Sequence, residues 1–457
     1  MLPDLEALGL SAPAAEAQAG LIKLCAEALV RAGVEGHSPA WAFFVPGRIE
    51  VLGKHTDYSG GRSLLAATEQ GFAFVATAAP DARIEVTDAV RSESASFELR
   101  DDLEPVRGHW SNYPQTVARR LARNFPRARR GTRFAFASNL PPAAGLSSSS
   151  ALIVGTFLVL EAFNGLDELE SEAREIESLA SYLAAVENGS SFGRLAGDTG
   201  VGTRGGSEDH TAILCSRPGE LAIYAFGPTR LEGRVELPGD LVFAVASSGV
   251  VAEKTGAALE RFNRASRLAR AVVEIWNERT HAREPHIAAI LSRLGGDLGR
   301  LREALVGSKH EEFSPAQLLD RLEHFREESE AILPRAADSL ERKDLVSFGA
   351  WVDRSRDLGA RLLANQVPET LFLAQEARRR GAVAASPFGA GFGGSVWALV
   401  MKAGAEDFLE EWRAAYCEAH AGPARAASLF LTGASVAAFE VGCSRLCYFK
   451  RRKGPQP

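Results

Sequence analysis

The longest apolar stretch of the chain, Ala151 to Leu160, follows directly on a run of four serines, Ser147 to Ser150. The whole segment, LSSSSALIVGTFLVLEAFNG, predicts one helix that starts from a serine-rich turn and is buried rather than amphipathic. Its apolar part is too short to cross a membrane, which takes roughly 20 residues. The helix must therefore be enclosed by other elements of a folded domain.

Those elements arrive in blocks. Residues 14 to 33 have a helical period with Gly33 as a stop. WAFFVPGRIEVL (41–52), a strand through LLAATEQGFAFVATAA that Gly71 interrupts, RIEVTDA, ASFEL and RFAFASNL then read as strands, with one helix near Tyr113 to Asn124. After the buried helix, Ser171 to Asn188 reads as another helix and Asp198 to Ser207 as a loop. TAILC (211–215), LAIYAF and LVFAVAS read as short strands. From Glu253 to about Arg380 the pattern is mainly helical. SVWALVMK, a helix over Ala405 to Ala419 and a last strand in SVAAFEVG complete the chain. Block order predicts an α+β class rather than a doubly wound sheet, with a soft boundary near 220 to 240 and no internal repeat.

Charge and cysteine content narrow the function classes. The net charge of −6 over 457 residues argues against a generally basic nucleic-acid binder. The arginines at 119, 120, 123, 127, 129, 130 and 133 read as a solvated face, with a polyanion site as the lesser alternative. The first residues carry no basic n-region, so no signal peptide is expected, and no membrane association follows. Five cysteines make no disulfide framework, and a reducing cytoplasm is the simplest compartment. Cys443 and Cys447 read as packing, and the basic tail KRRKGPQP as frayed.

Three familiar nucleotide motifs fail on inspection. GRIEVLGKH (47–55) has five residues between its glycines where a Walker A loop has four, and His55 stands where a magnesium-binding hydroxyl belongs. GVGTRG (200–205) and GAGFGG (389–394) match a dinucleotide fingerprint in letters but lack its strand–turn–helix setting.

Three other segments carry a chemical logic. PPAAGLSSSSAL (141–152) puts small residues and hydroxyls at a helix start, where unpaired N–H groups and the dipole favour an anion. The bland alternative is a serine-rich cap. PGRIEVLGKHTDYSGG (46–61) packs Arg48, Lys54, His55, Asp57 and Tyr58 into one turn after a strand, more than a turn requires. PFGAGFGGS (387–395) is rich in glycine, which fits close backbone approach or a tight turn under a strand.

Taken in order, and with WSNYPQTV (110–117), these segments resemble the galactokinase branch of the GHMP kinase superfamily over most of the chain. The resemblance implies a two-domain GHMP kinase fold with mixed sheets and flanking helices, divided into 1–230 and 231–457. It implies a sugar 1-kinase that uses ATP and Mg²⁺, acts on galactose or a related small sugar, and is a monomer or weak homo-oligomer. By motif position Arg48 matches the residue that stabilises the transferring phosphoryl group, and Asp209 the catalytic aspartate, with Glu208 as rival carboxylate. Gly145, Leu146, Ser147, Ser148, Ser149 and Ser150 match the phosphate loop, and Gly389, Gly391 and Gly393 complete the pocket. Trp110 and Asn112 fall on the adenine side; Ser149 and Glu187 match the magnesium side. Lys54, His55, Asp57 and Tyr58 would face the sugar.

The chain also departs from the family. Lys54 replaces a glutamate expected to accept from the sugar's primary hydroxyl, and Glu50 replaces an asparagine. An ammonium group suits a carboxylate, so galacturonate or another uronic acid is the alternative substrate. The competing reading turns Lys54 towards Glu50 or Glu69. RLAGDTGVGTRGGS (194–207) reads as an inserted loop beside the site, and His210 replaces a glutamine. A non-catalytic sugar or ATP sensor on the same scaffold is the alternative of another class.

Overall fold

The computed structural model describes residues 2–142, 144–166, 172–250 and 256–441. Cys443, Cys447, the basic tail, Ala143 and the expected helix start at Ser171 lie outside the described residues.

Two sheets organise the molecule. The larger has eight strands in the order β12-β1-β2-β5-β3-β4, with β6 and β7 extending from β2. Its strands are β1 (Trp41–Leu52), β2 (Arg62–Ala78), β3 (Arg83–Asp88), β4 (Glu93–Glu98), β5 (Thr132–Ser138), β6 (Glu220–Ala225), β7 (Arg230–Glu236) and β12 (Phe439–Val441). The smaller is antiparallel, β11-β8-β10-β9, built from β8 (Leu241–Ser247), β9 (Ala384–Phe388), β10 (Ser395–Met401) and β11 (Ser428–Thr432). β3 and β5 run parallel, which makes the larger sheet mixed. With the helices around them, the two sheets give the α+β class that the block order predicts.

The serine-led helix spans Ser148–Asn164, and all of Ser150 to Leu160 is buried. Gly155 lies against the Phe74 ring, where a Cβ would come within 2.1 Å, so this helix sits directly on β2. Its apolar residues join one continuous core with β1, β2 and β5 and with Phe243, Val245 and Trp397 of the smaller sheet. Trp397 is fully buried, meets Phe243 edge-on at 5.7 Å, and its indole N–H donates to the Glu50 carbonyl at 3.2 Å. This bond joins the smaller sheet to β1 just before the turn that carries the polar cluster.

Several expectations change. Gly71 does not interrupt β2. It pairs with Pro46, and its missing Cβ makes room for the Val45 carbonyl, which a side chain would meet at 2.4 Å. TAILC is the last part of a helix, Glu208–Cys215, rather than a strand. The apolar run is short and buried all round, so period alone cannot separate the two, and the Ser207 carbonyl starts a helical turn by accepting from Thr211 N. The expected last strand shrinks to β12, with Ser435 bridged singly to Ala67. β7 and β11 were not anticipated. The arginine cluster is no solvated face at its start: Arg119 and Arg120 are buried against Asp198, at 2.8 and 3.7 Å. Among the described residues no helix is long and apolar enough to cross a membrane.

Because Trp397 fills the seam between the sheets, Trp397→Ala is expected to cost about 3–5 kcal/mol in urea unfolding. A loss below about 1 kcal/mol would show that the seam is not a shared core.

Candidate active site

Four segments converge on one cavity of about 450 Å³. They are the turn after β1, the loop into the Ser148–Asn164 helix, the 187–210 stretch and the turn after β9.

β1 reaches the cavity through two irregularities of register, between Pro46 and Arg48 and between Glu50 and Leu52. Such bulges re-aim side chains next to active sites. Here they surround the Arg48 side chain, 95% buried, with acceptors. Its Nε donates to Asp209 Oδ1 at 2.7 Å, and Nη1 donates to the Gly145 carbonyl at 2.7 Å. Glu208 Oε1 lies 3.9 Å from Nε. Burial works against the guanidinium charge, but Asp209, Glu208 and Glu50 outweigh it and raise the Arg48 pKa. Arg48 therefore stays charged at every working pH.

The serine loop ends in a backbone shape made for an acceptor. Ser147 takes a left-handed conformation, φ 61°, at the helix start, and its buried hydroxyl has no hydrogen-bond partner among the described residues. Ser148, Ser149 and Ser150 line the cavity beyond it. The orphaned hydroxyl, the helix N-terminus and the Arg48 charge favour a polyanion such as a nucleotide phosphate chain.

Ser150 is the hinge between two carboxylates. Its Oγ donates to Glu187 Oε2 at 2.7 Å and lies 3.4 Å from Asp209 Oδ2. His210 Nε2 stands 3.1 Å from the same Glu187 oxygen. The helix Glu208–Cys215 supplies Glu208, Asp209 and His210 together; all three line the cavity, and of them Asp209 is the one that accepts a hydrogen bond from Arg48. Glu208 turns to Ser63, whose hydroxyl donates at 2.6 Å.

On the opposite wall His55, with φ 57°, Asp57 and Tyr58 line the cavity. The His55 ring lies 3.0 Å from the Tyr58 hydroxyl through Nδ1 and 3.2 Å from the Ala390 carbonyl through Nε2. A carbonyl has no proton to give, so Nε2 is the donor there. This bond ties the turn after β1 to the turn after β9. Asp57 Oδ2 accepts from Glu208 N at 3.3 Å, and Gly206 approaches so closely that a Cβ would lie 2.4 Å from that oxygen. Burial raises the Asp57 pKa, opposed by backbone donors from Tyr58 and Glu208.

At the other end the cavity is apolar. Phe72 on β2, Phe136 on β5, Leu140, Leu152 and Trp110 form it, with Trp110 edge-on to Phe136 at 5.4 Å. Apart from Trp110 these residues were missed. Strand alternation predicts that Phe72 and Phe136 share a face with their neighbours, but not that the face is a ligand wall.

Some expected site residues sit elsewhere. Lys54 does not line the cavity. It is 1% exposed, its ammonium lies 3.3 Å from Ser355 Oγ, and its charge acts on Glu50. Asn112 turns away and donates to the Val201 carbonyl at 3.3 Å. The Leu146 side chain is buried, and its carbonyl accepts from Arg48 N. Gly389 lies beside Arg48 and Gly145, whereas Gly391 packs on Asn365 and Gly393 on Val250.

A supporting layer from the helical block was also missed. Glu328 Oε1 accepts from Gly53 N at 2.8 Å and from Ser355 Oγ at 2.9 Å. Arg321 donates to the His55 carbonyl, and its guanidinium lies 5.8 Å from the Tyr58 ring centre. No motif marks these residues, because each acts on backbone or ring atoms some 260 or more positions away.

The GHMP kinases N terminal domain model matches residues 112–196, the GHMP kinases C terminal model 336–418, and the galactokinase galactose-binding signature 33–78. A galactokinase of Lacticaseibacillus casei (strain BL23) is 27% identical over 84% of this chain and 91% of its own. A crystal structure of Lactococcus lactis galactokinase complexed with galactose superposes with a TM-score of 0.74 at 21% identity, covering 90% of this chain and 98% of that one. A mevalonate kinase structure reaches 0.53 at 14% identity, covering 87% and 100%.

Two stability measurements probe the buried charges. Lys54→Glu would set a further carboxylate near Glu50 and Glu328 and is expected to cost about 3–5 kcal/mol in urea unfolding; an undiminished midpoint would mean that the side chain leaves this niche. Burial is the largest influence on Glu50, and despite the opposing Lys54 and Arg48 charges its pKa rises to about 7 from 4.5. The folded chain thus binds an extra proton between those values, and stability falls as pH rises through that window. Glu50→Gln removes the effect. It should raise Tm at pH 8 and do much less at pH 5, and an equal change at both would point to another group.

Proposed function

We propose that this chain, a galactokinase-like member of the GHMP kinase superfamily, transfers the γ-phosphoryl group of ATP to the anomeric hydroxyl of galactose. The observation that carries the reading is the buried Arg48–Asp209 pair, set between a serine loop shaped for phosphate and a polar turn shaped for hydroxyl groups. Phosphoryl transfer needs charge neutralisation, alignment and a carboxylate near the attacking hydroxyl. In this reading Asp209 accepts the hydroxyl proton as the O–P bond to the sugar forms and the bond to ADP breaks. Arg48 neutralises charge on the moving phosphoryl group and orients Asp209. Asp57 accepts from sugar hydroxyls, and Tyr58 and His55 shape the wall beside it. Trp110, Phe72 and Phe136 offer the apolar end to the adenine.

Mg²⁺ fits the residues present. Glu187 and Ser149 both line the cavity and both offer oxygen donors, the ligand type that a cation completed by phosphate oxygens takes. A cation held by these two residues would supply positive charge against the phosphate chain. Ser150 then acts as a positioning residue that keeps Glu187 and Asp209 at fixed separation. The buried place of Lys54 removes the reason for preferring a uronic acid. The division near residue 230 belongs to this proposal as well, with β12 returning to the first sheet.

Asp209→Asn keeps the shape and removes the proton acceptor. It is expected to lower kcat by at least about 10²-fold, the scale of general-base contributions, with ATP affinity nearly unchanged. ADP release with galactose and Mg-ATP, beside nucleotide binding by calorimetry, measures both. Near-parental turnover in the variant would shift the role to another carboxylate. Nucleotide and sugar binding without turnover in the parent protein would favour a sensor.

A further inference from the structure

Beside the active-site cavity lies a second one of about 690 Å³. The two share Tyr58, Asn188, Thr203 and Gly205. Its walls are the loop 198–205 and the Ser266–Val273 face of the Gly256–Thr280 helix. This is the loop that the sequence marks as an insertion.

The charge of this cavity is one-sided. Arg107, Arg204 and Arg270 line it, all three exposed, and among the described residues none of their side chains has an ion pair or hydrogen bond. The single acid in the lining, Asp198, is already consumed by Arg119 and Arg120 and is 3% exposed. Other exposed arginines do find carboxylates, as Arg267 does Glu312, Arg293 Glu284 and Arg380 Glu411.

The backbone around Arg204 is held by side chains from two helices. Asn263 Oδ1 accepts from Arg204 N at 3.0 Å, and its Nδ2 donates to the Gly202 carbonyl at 3.2 Å. Asn188 donates to the Gly205 carbonyl at 3.0 Å, and Val201 N to the Glu187 carbonyl at 2.8 Å. Three unpaired guanidinium groups on a braced concave surface concentrate positive potential, and their planar forks match phosphate oxygens.

We propose that this cavity is a binding site for a phosphate group, separate from the nucleotide site and carried by inorganic phosphate or a phosphate monoester. Through Tyr58, Thr203 and Gly205 an occupant would brace a wall of the sugar side, so it would act on KM for the sugar. The effect on KM rests on the kinase reading; the binding itself does not.

The test is calorimetric titration of the full chain with inorganic phosphate and, separately, with glucose 6-phosphate. Both are run at constant ionic strength with the nucleotide site saturated by a non-hydrolysable ATP analogue and Mg²⁺. Saturable binding is expected, weakened at least tenfold in Arg204→Gln/Arg270→Gln, while the variant keeps parental nucleotide affinity and basal turnover. Binding of phosphate alone identifies the free ion as the ligand; tighter binding of the ester identifies the monoester. Absence of saturable heat, or equal affinity in parent and variant, overturns the proposal. Arg107→Gln offers a second variant with the same expected direction. Failure to bind the ATP analogue would instead count against the kinase reading, and the titrations without nucleotide would still decide this site.

Discussion

The structure depends on keeping one arginine charged inside the protein. Arg48 lies on a central strand, removed from water, and burial of such an ion is costly unless its hydrogen bonds and charges are answered. Asp209, the Gly145 carbonyl and the nearby Glu208 and Glu50 answer them. Glu50 lies on the same strand, Gly145 precedes the serines and Glu208 and Asp209 share a helix, so satisfying Arg48 draws the strand, the serine loop and the Glu208–Cys215 helix to one point. The geometry needed for phosphoryl transfer is also the geometry that makes this charge tolerable.

That solution leaves an excess of carboxyl groups. Glu50, Asp57, Glu208 and Asp209 share a region with two cations, Arg48 and Lys54. Burial and mutual repulsion push Glu208 well above the usual carboxylate range and raise Glu50 and Asp57. Proton binding therefore completes the charge balance. Lys54 belongs to this balance: withdrawn from the cavity, it offsets Glu50 next to Ser355 and Glu328. The exchange of residues at 50 and 54 relative to the family is best understood as one buried compensation.

The helical block from 256 onwards does more than cover the site. Glu328 and Arg321 hold the backbone of the turn at Gly53 and His55, and the turn after β9 meets the His55 ring. His55 is held in a left-handed conformation by these contacts. Strain of this kind persists only where surrounding structure over-determines it. The 198–205 loop gains its own support from Asn263 and Asn188.

Sequence alone determined what acts locally. The serine-led helix, the turn that carries Arg48 and Asp57 and the glycine turn follow from composition, period and spacing, and the ordered motifs carry the resemblance to GHMP kinases. Tertiary structure decided what depends on direction and on distant partners. Period could not separate strand from helix in TAILC, because a short run buried on all sides has no polar face. A lysine in a motif turn carries no mark of where its ammonium points; Glu50 and Ser355 decided that. The same holds for Arg119 and Arg120, drawn inside by Asp198, and for Ser150, whose hydroxyl reaches two carboxylates. Hydrophobic periodicity is a property of neighbours in the chain, whereas the pairing of buried charges is a property of neighbours in space.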